Sequence, residues 1–93
     1  MRFEWDDVKN HENRRKHGLD FADAPLVFGG QILTFEDHRH SAAEPRYLSV
    51  GTLAGRMVII AHTLRGDATR IISMRKANAR ERTRYQERLG KNR

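Results

Sequence analysis

Thr69-Arg70-Ile71-Ile72-Ser73-Met74-Arg75-Lys76 alternates as a strand and runs, through Ala77, straight into a helical stretch from Asn78 to Leu89 that carries Arg80, Arg82, Arg84 and Arg88. Ten of the chain's 18 basic residues and three of its 12 acidic ones fall between Thr63 and Arg93, so that segment carries +7 and the preceding 62 residues −1. The positive charge is therefore presented by ordered elements. Like charges repel within a fold, and a basic stripe on a small domain ordinarily meets a phosphate backbone. In strict alternation Ile71, Ser73 and Arg75 share one face of the strand, and Arg70, Ile72, Met74 and Lys76 share the other. Ile72 and Met74 then belong to the core, and Ser73 and Arg75 to an open face.

Working back from this strand, three further β signals precede it: Ile32 to Phe35, Arg46 to Leu53, and Met57 to Thr63, whose unbroken apolar run reads as a central strand covered on both faces. Ala54-Gly55 and Gly66-Asp67 are short turns, which imply antiparallel neighbours. Ahead of them, Met1 to Trp5 is a short strand ending at Asp6-Asp7, either of which can cap a polar helix from Val8 to His17 that Gly18 closes. A second helix signal starts at Asp20, with Asp23 in capping-box position and an apolar face of Phe21, Ala24, Leu26, Val27 and Phe28; Pro25 predicts that it is short or distorted. The expected architecture is α+β: a short strand, two helices, a four-stranded antiparallel meander and a C-terminal helix, with the helices on one face of the sheet.

Ninety-three residues make one domain with one modest core. No cysteine is present, which removes disulfides and cysteine-based zinc sites, and the longest apolar run, Met57 to Ala61, is far too short for a membrane span. The acidic start is unlike a signal peptide, so the cytoplasm is the expected compartment. His38 and His40, with Asp37 or His62, are the nearest approach to a metal-ligand set; the spacing matches no metal motif, and no cofactor is expected. In the terminal helix, Ala77, Glu81, Tyr85 and Leu89 form a narrow, half-apolar stripe beside an all-arginine row of Arg80, Arg84 and Arg88. Glu81 and Glu87 are placed to pair with Arg84.

Three functional classes fit this charge: an RNA-cleaving enzyme, a DNA-binding repressor, and a non-catalytic module whose basic surface holds an acidic partner. No helix-turn-helix spacing supports the second. For the first, RNA cleavage by 2′-hydroxyl attack needs cations on the phosphate and a proton acceptor. Arg75 with Arg70 or Lys76 suits the phosphate, because a guanidinium fork matches two phosphate oxygens. His62 and Glu81 are candidate proton acceptors, and Tyr85 is a candidate for base stacking or proton relay. Lys16, His17, Ser73, Arg80 and Arg84 are candidate RNA contacts.

Phe3-Glu4-Trp5-Asp6, Lys16-His17-Gly18 with Phe21 beyond, Arg46 ahead of Val50-Gly51, and Arg70 through Ala77 followed by Glu81-Arg82 and Tyr85 resemble the BrnT family of toxins. The resemblance runs from Arg2 to about Glu87 in order and spacing; Pro25 and Met74 depart from it. It implies a RelE-like ribonuclease fold and a type II toxin that cuts RNA. It also implies a BrnA-like ribbon-helix-helix antitoxin, which neutralises the toxin and binds operator DNA. A degenerate toxin or co-repressor that binds without cutting is the alternative.

Overall fold

A computed structural model describes residues 1–39 and 44–91, without the side chains of residues 90 and 91. Residues 40–43, with the candidate ligand His40 among them, therefore lie outside the described residues. Five strands form one mixed sheet: β1 (Arg2–Glu4), β2 (Leu33–Asp37), β3 (Arg46–Leu53), β4 (Arg56–Arg65) and β5 (Ala68–Lys76), in the order β1-β5-β4-β3-β2. The meander β2 to β5 is antiparallel as expected. The N-terminal strand adds to it: β1 pairs in parallel with β5, Arg2 to Glu4 opposite Ala68 to Arg70.

Helix α1 (Asp7–His17) starts on Asp6, whose carboxylate accepts the amides of Val8 and Lys9, and ends on Gly18 at φ 69°, the left-handed conformation that glycine adopts without a Cβ penalty. It is polar apart from the exposed Val8, and its one buried side chain, Asn13, explains its position. The Asn13 carboxamide oxygen accepts the Met74 amide on β5, while its nitrogen donates to the Leu19 carbonyl. Asn10 ties the same helix to the next segment by donating to Asp20 and accepting the Phe21 amide. Asn13→Ala leaves a buried backbone N–H and a carbonyl without partners, at a cost of about 1–3 kcal/mol. The expected drop in Tm is roughly 5–15 °C; an unchanged melting curve would show that water replaces the carboxamide.

The second helix is divided as Pro25 requires: a 3-10 turn, Phe21–Asp23, capped by Asp20, leads into α2 (Ala24–Phe28) with the proline in its first turn, where a missing N–H costs nothing. Its apolar face is narrower than the sequence predicts. Phe21, Ala24 and Val27 are buried, whereas Leu26 stands 69% exposed. Val27 presses on β3 at Gly51, where an added Cβ would lie 2.6 Å from Val27 Cγ1.

Helix α3 (Ala79–Lys91) corrects the layer assignment. Val58 and Ile60 of β4 pack with Phe21, Ala24, Val27, Ile71 and Met74 under the first two helices. Ile59, on the opposite face, joins Val50, Ala77, Tyr85 and Leu89 beneath α3. The sheet is thus sandwiched, and the half-apolar stripe of α3 is its buried side: Tyr85 stacks on Phe35 with ring centroids 5.8 Å apart. Two buried side chains, Tyr85 and Leu89, suffice to seat α3 because Leu33, Phe35, Leu48 and Met57 supply the rest of that core from the sheet.

Candidate active site

The geometry of the open face depends on one residue. His62 of β4 pairs with Ile71 and Ala61 pairs with Ser73, so Ile72 is the extra residue of a β-bulge. A bulge shifts the alternation by one. Ile71, and not Ile72, joins Met74 in the buried core, while Ile72 is half-buried. Arg70, opposite Thr63, is carried to the same face as Ser73 and Arg75, which lie opposite Ala61 and Ile59. Strict alternation placed Arg70 on the other side; the bulge brings Arg70, Ser73 and Arg75 into one row roughly 13 Å long. Lys76, opposite Val58, does not share that face and is exposed at the end of the strand.

Arg75 is held by Glu81 through a fork of two hydrogen bonds, Nη1 to Oε1 at 2.7 Å and Nη2 to Oε2 at 2.8 Å. Glu81 has a second duty. Its Oε1 accepts the Asn78 amide while its own amide donates to the Asn78 side chain, a capping box that starts α3. The carboxylate expected to pair with Arg84 is therefore committed to Arg75. The hydrogen bonds from Arg75, outweighing partial burial, hold the Glu81 carboxyl down to about 2. At neutral pH Glu81 is a fixed anion and a poor proton acceptor; it positions the guanidinium and leaves three of its five N–H donors uncommitted.

Two members of this face escaped the sequence reading. Arg39, in the turn after β2, makes the same forked contact with the buried Asp37, at 2.8 Å for each bond, and is close enough for its charge to act on Arg75. Glu4 of β1 accepts from Arg70 at 2.8 Å. The parallel pairing of β1 with β5 sets Glu4 opposite Arg70, and nothing in either short segment announces that pairing.

The other candidates are distributed as follows. His62 points to the opposite face, 6% exposed, with Phe28 edge-on at 5.1 Å and Tyr47 stacked at 5.9 Å. Its Nε2 shares a 2.7 Å hydrogen bond with Ser49 Oγ, which in turn meets Thr34 Oγ1 at 2.7 Å. Burial depresses its pKa to about 4, so the ring is neutral and lies a full sheet thickness from Arg75. The Tyr85 ring is covered by Phe35 on one side and has the Arg84 guanidinium 6.0 Å from its centroid, which leaves no free ring face for a base. Lys16 and His17 are exposed in the last turn of α1, and Arg80 and Arg84 on the outer surface of α3. His38 lies 3.4 Å from Glu36; among the described residues, no three His, Asp or Glu side chains converge as metal ligands.

His62 has a consequence for stability. A base whose folded pKa is depressed from 6.5 to about 4 stabilises the fold above pH 6.5, and that contribution is lost as pH falls through the window to 4. The loss is on the order of 3 kcal/mol. Tm measured from pH 7 to 4 should fall steeply for the parent chain and less for His62→Gln, which keeps a partner for Ser49 without a titrating ring. Equal slopes would assign the acid response to other groups.

What the face offers chemically is two guanidinium groups of one strand, Arg75 forked on Glu81 and Arg70 bonded to Glu4, with Ser73 between them. That arrangement is chemically suited to phosphate oxygens. No helix of the described residues is long and apolar enough to cross a membrane. A search of curated proteins gives no match to the chain. A family model described as the ribonuclease toxin, BrnT, of type II toxin-antitoxin systems matches residues 5–81 of the 93, a span that includes every strand of the meander, the bulge and the Arg75–Glu81 pair. The chain belongs to the BrnT family of ribonuclease toxins.

Proposed function

We propose that this chain is a RelE-like endoribonuclease that cleaves RNA without metal, by attack of a 2′-hydroxyl on the adjacent phosphorus. The observation that carries this reading is the Arg75–Glu81 fork on an open strand face, within a family of ribonuclease toxins. Arg75 binds a non-bridging oxygen of the scissile phosphate and stabilises the charge that builds on the pentavalent phosphorane. Its orientation is fixed beforehand by Glu81, so little is spent on ordering it during the reaction. Arg70, at the other end of the row, holds the strand, and Ser73 offers a hydroxyl between them. Glu81 is assigned to positioning instead of proton transfer, and His62 to the core; as the 2′-oxygen bonds to phosphorus its proton passes to water, and the phosphorus–5′-oxygen bond breaks with water returning a proton to the leaving oxygen. Lys16, Lys76, Arg80 and Arg84 contribute charge to RNA binding, and His17 a hydrogen-bonding ring, without touching the reacting atoms.

The proposed protein partner is a BrnA-like ribbon-helix-helix antitoxin that covers this face and carries the complex to operator DNA; the proposed compartment is the cytoplasm. A second reading has one observation in its favour: Arg39, Arg70 and Arg75 are all neutralised internally by carboxylates. A degenerate toxin or co-repressor, using its basic surface only to bind, would be built the same way. The two readings separate on the RNA products. Incubated with RNA in excess chelator, the purified chain should yield 2′,3′-cyclic phosphate and 5′-hydroxyl ends. Intact RNA in chelator, with cleavage restored by a divalent cation, would overturn the metal-free mechanism. Intact RNA under every condition would favour the binding module.

A further inference from the structure

Helix α3 crosses its face of the sheet obliquely, from Arg75 of β5, which it meets through Glu81, to Phe35 of β2, which it meets through Tyr85. It thereby divides that face. On one side lies the row of Arg70, Ser73 and Arg75. Beyond that face, at the end of the sheet where the β3–β4 hairpin turns at Ala54 and Gly55, a concavity of about 390 Å³ opens between the hairpin, the end of β5 and the start of α3. Its lining includes Arg56 from the start of β4, Lys76 from the end of β5 and Arg82 from the second turn of α3. Three cations from three separate elements converge on one hollow, and no carboxylate lines it.

The contrast with the Arg75 face is informative. There each guanidinium is matched by an internal carboxylate: Glu4 on Arg70, Asp37 on Arg39, Glu81 on Arg75. Arg56, Lys76 and Arg82 have no such partner among the described residues. Arg82 is instead fixed by donating from Nη1 to the Ala77 carbonyl at 2.9 Å, which orders the side chain while leaving its charge uncompensated. Three exposed cations around one concavity sum to a local positive potential, which attracts an anion from outside. The neighbouring hollow, about 430 Å³, shares Gly55, Met57 and Arg82 and adds Gln31, Thr52 and Gln86; it holds no aromatic ring on which a base would stack. The site therefore reads charge and not base identity.

We propose that Arg56, Lys76 and Arg82 form a second phosphate-backbone subsite, at the hairpin end of the sheet, which grips the RNA strand away from the position of cleavage. The proposal rests on the RNA-cleaving reading above and adds to it where the uncompensated charge acts. A strand held there bends around the start of α3 to reach Arg75, so the subsite supplies affinity that depends on salt and not on sequence.

The test uses the full chain and a fluorescein-labelled 2′-O-methyl oligouridine, which lacks the attacking hydroxyl and stays intact. Anisotropy titrations across a range of salt concentrations compare the parent with Arg56→Gln and Arg82→Gln, with thermal melts as the fold control. Each variant should bind roughly 3–10-fold more weakly at about 0.1 M salt, and its slope of log affinity against log salt should fall by about 0.7–0.9. Tm should be unchanged or slightly raised for Arg56→Gln, since a repulsive charge is removed, and lower by a few degrees at most for Arg82→Gln, which also loses the bond to the Ala77 carbonyl. Affinity and slope equal to the parent's would overturn the subsite. Weaker binding of polyglutamate with RNA binding intact would also overturn it, assigning the hollow to an acidic protein segment. A parent chain that shows no salt-dependent RNA binding would instead sink the RNA reading on which the subsite rests.

Discussion

Purified Arg75→Ala should cleave RNA at least about 100-fold more slowly than the parent chain, the loss typical of removing one donor that stabilises a transition-state anion. Its fold should survive. Arg75 is 39% exposed and Glu81 19%, so solvent screens the pair, and Glu81 keeps its capping role through Asn78 after the guanidinium is gone. A destabilisation of no more than about 1 kcal/mol is expected. Arg75→Lys provides the sharper comparison. A lysine retains the charge but not the planar fork, so it cannot bind Glu81 through two parallel bonds and a phosphate at the same time. If Lys restored full activity, charge alone would suffice, and the orientation argument built on Glu81 would fail.

The largest effect on stability is expected at Phe21. It is fully buried, edge-on to Trp5 at a centroid distance of 6.5 Å, and it sits where the 3-10 turn meets β4 and β5. Phe21→Ala should cost about 3–5 kcal/mol. In a domain of this size that is a large part of the whole, since total stability is about 5–15 kcal/mol. Tm should fall by roughly 15–30 °C. Leu26→Ala is the internal control. The sequence pattern puts both residues on one apolar face, yet Leu26 is 69% exposed, and its removal should change stability by less than about 0.5 kcal/mol. Comparable losses at the two positions would mean that α2 is not seated as described.

Those two residues also show where sequence pattern loses its grip. Local signals governed the elements themselves: Gly18 ends α1, Pro25 divides the second helix, and the turns at Gly55 and Gly66 set an antiparallel meander. Layer assignment was less legible, because Tyr85 and Leu89 supply too thin a stripe to announce that α3 is seated on a core. Most of that core comes from strand residues whose inward direction depends on β2 and β3 register.

The site was legible as a list of residue types and only partly as a geometry. Arg75 and Ser73 fall on the open face by simple alternation, as expected. Arg70 does not, because period-two counting has no place for an extra residue, and the bulge at Ile72 follows from how Ile71 and Met74 both reach the core. The Arg75–Glu81 fork joins residues six apart in sequence across a strand-to-helix junction, where helical spacing rules do not apply. His62 illustrates the reverse problem. A histidine at the polar end of an apolar strand is chemically attractive on paper, and the parity of β4 turns it away from the arginine row.

We propose that this chain arrests growth by cutting RNA at the Arg75 face. The most direct measurement is inducible expression of the chain alone in a bacterial host, beside Arg75→Ala, following growth and the integrity of total RNA. Growth arrest with fragmented RNA is expected from the parent, and normal growth with intact RNA from the variant at equal soluble levels. Normal growth and intact RNA from soluble, folded parent protein would contradict the proposal, as would arrest and cleavage that persist undiminished in Arg75→Ala.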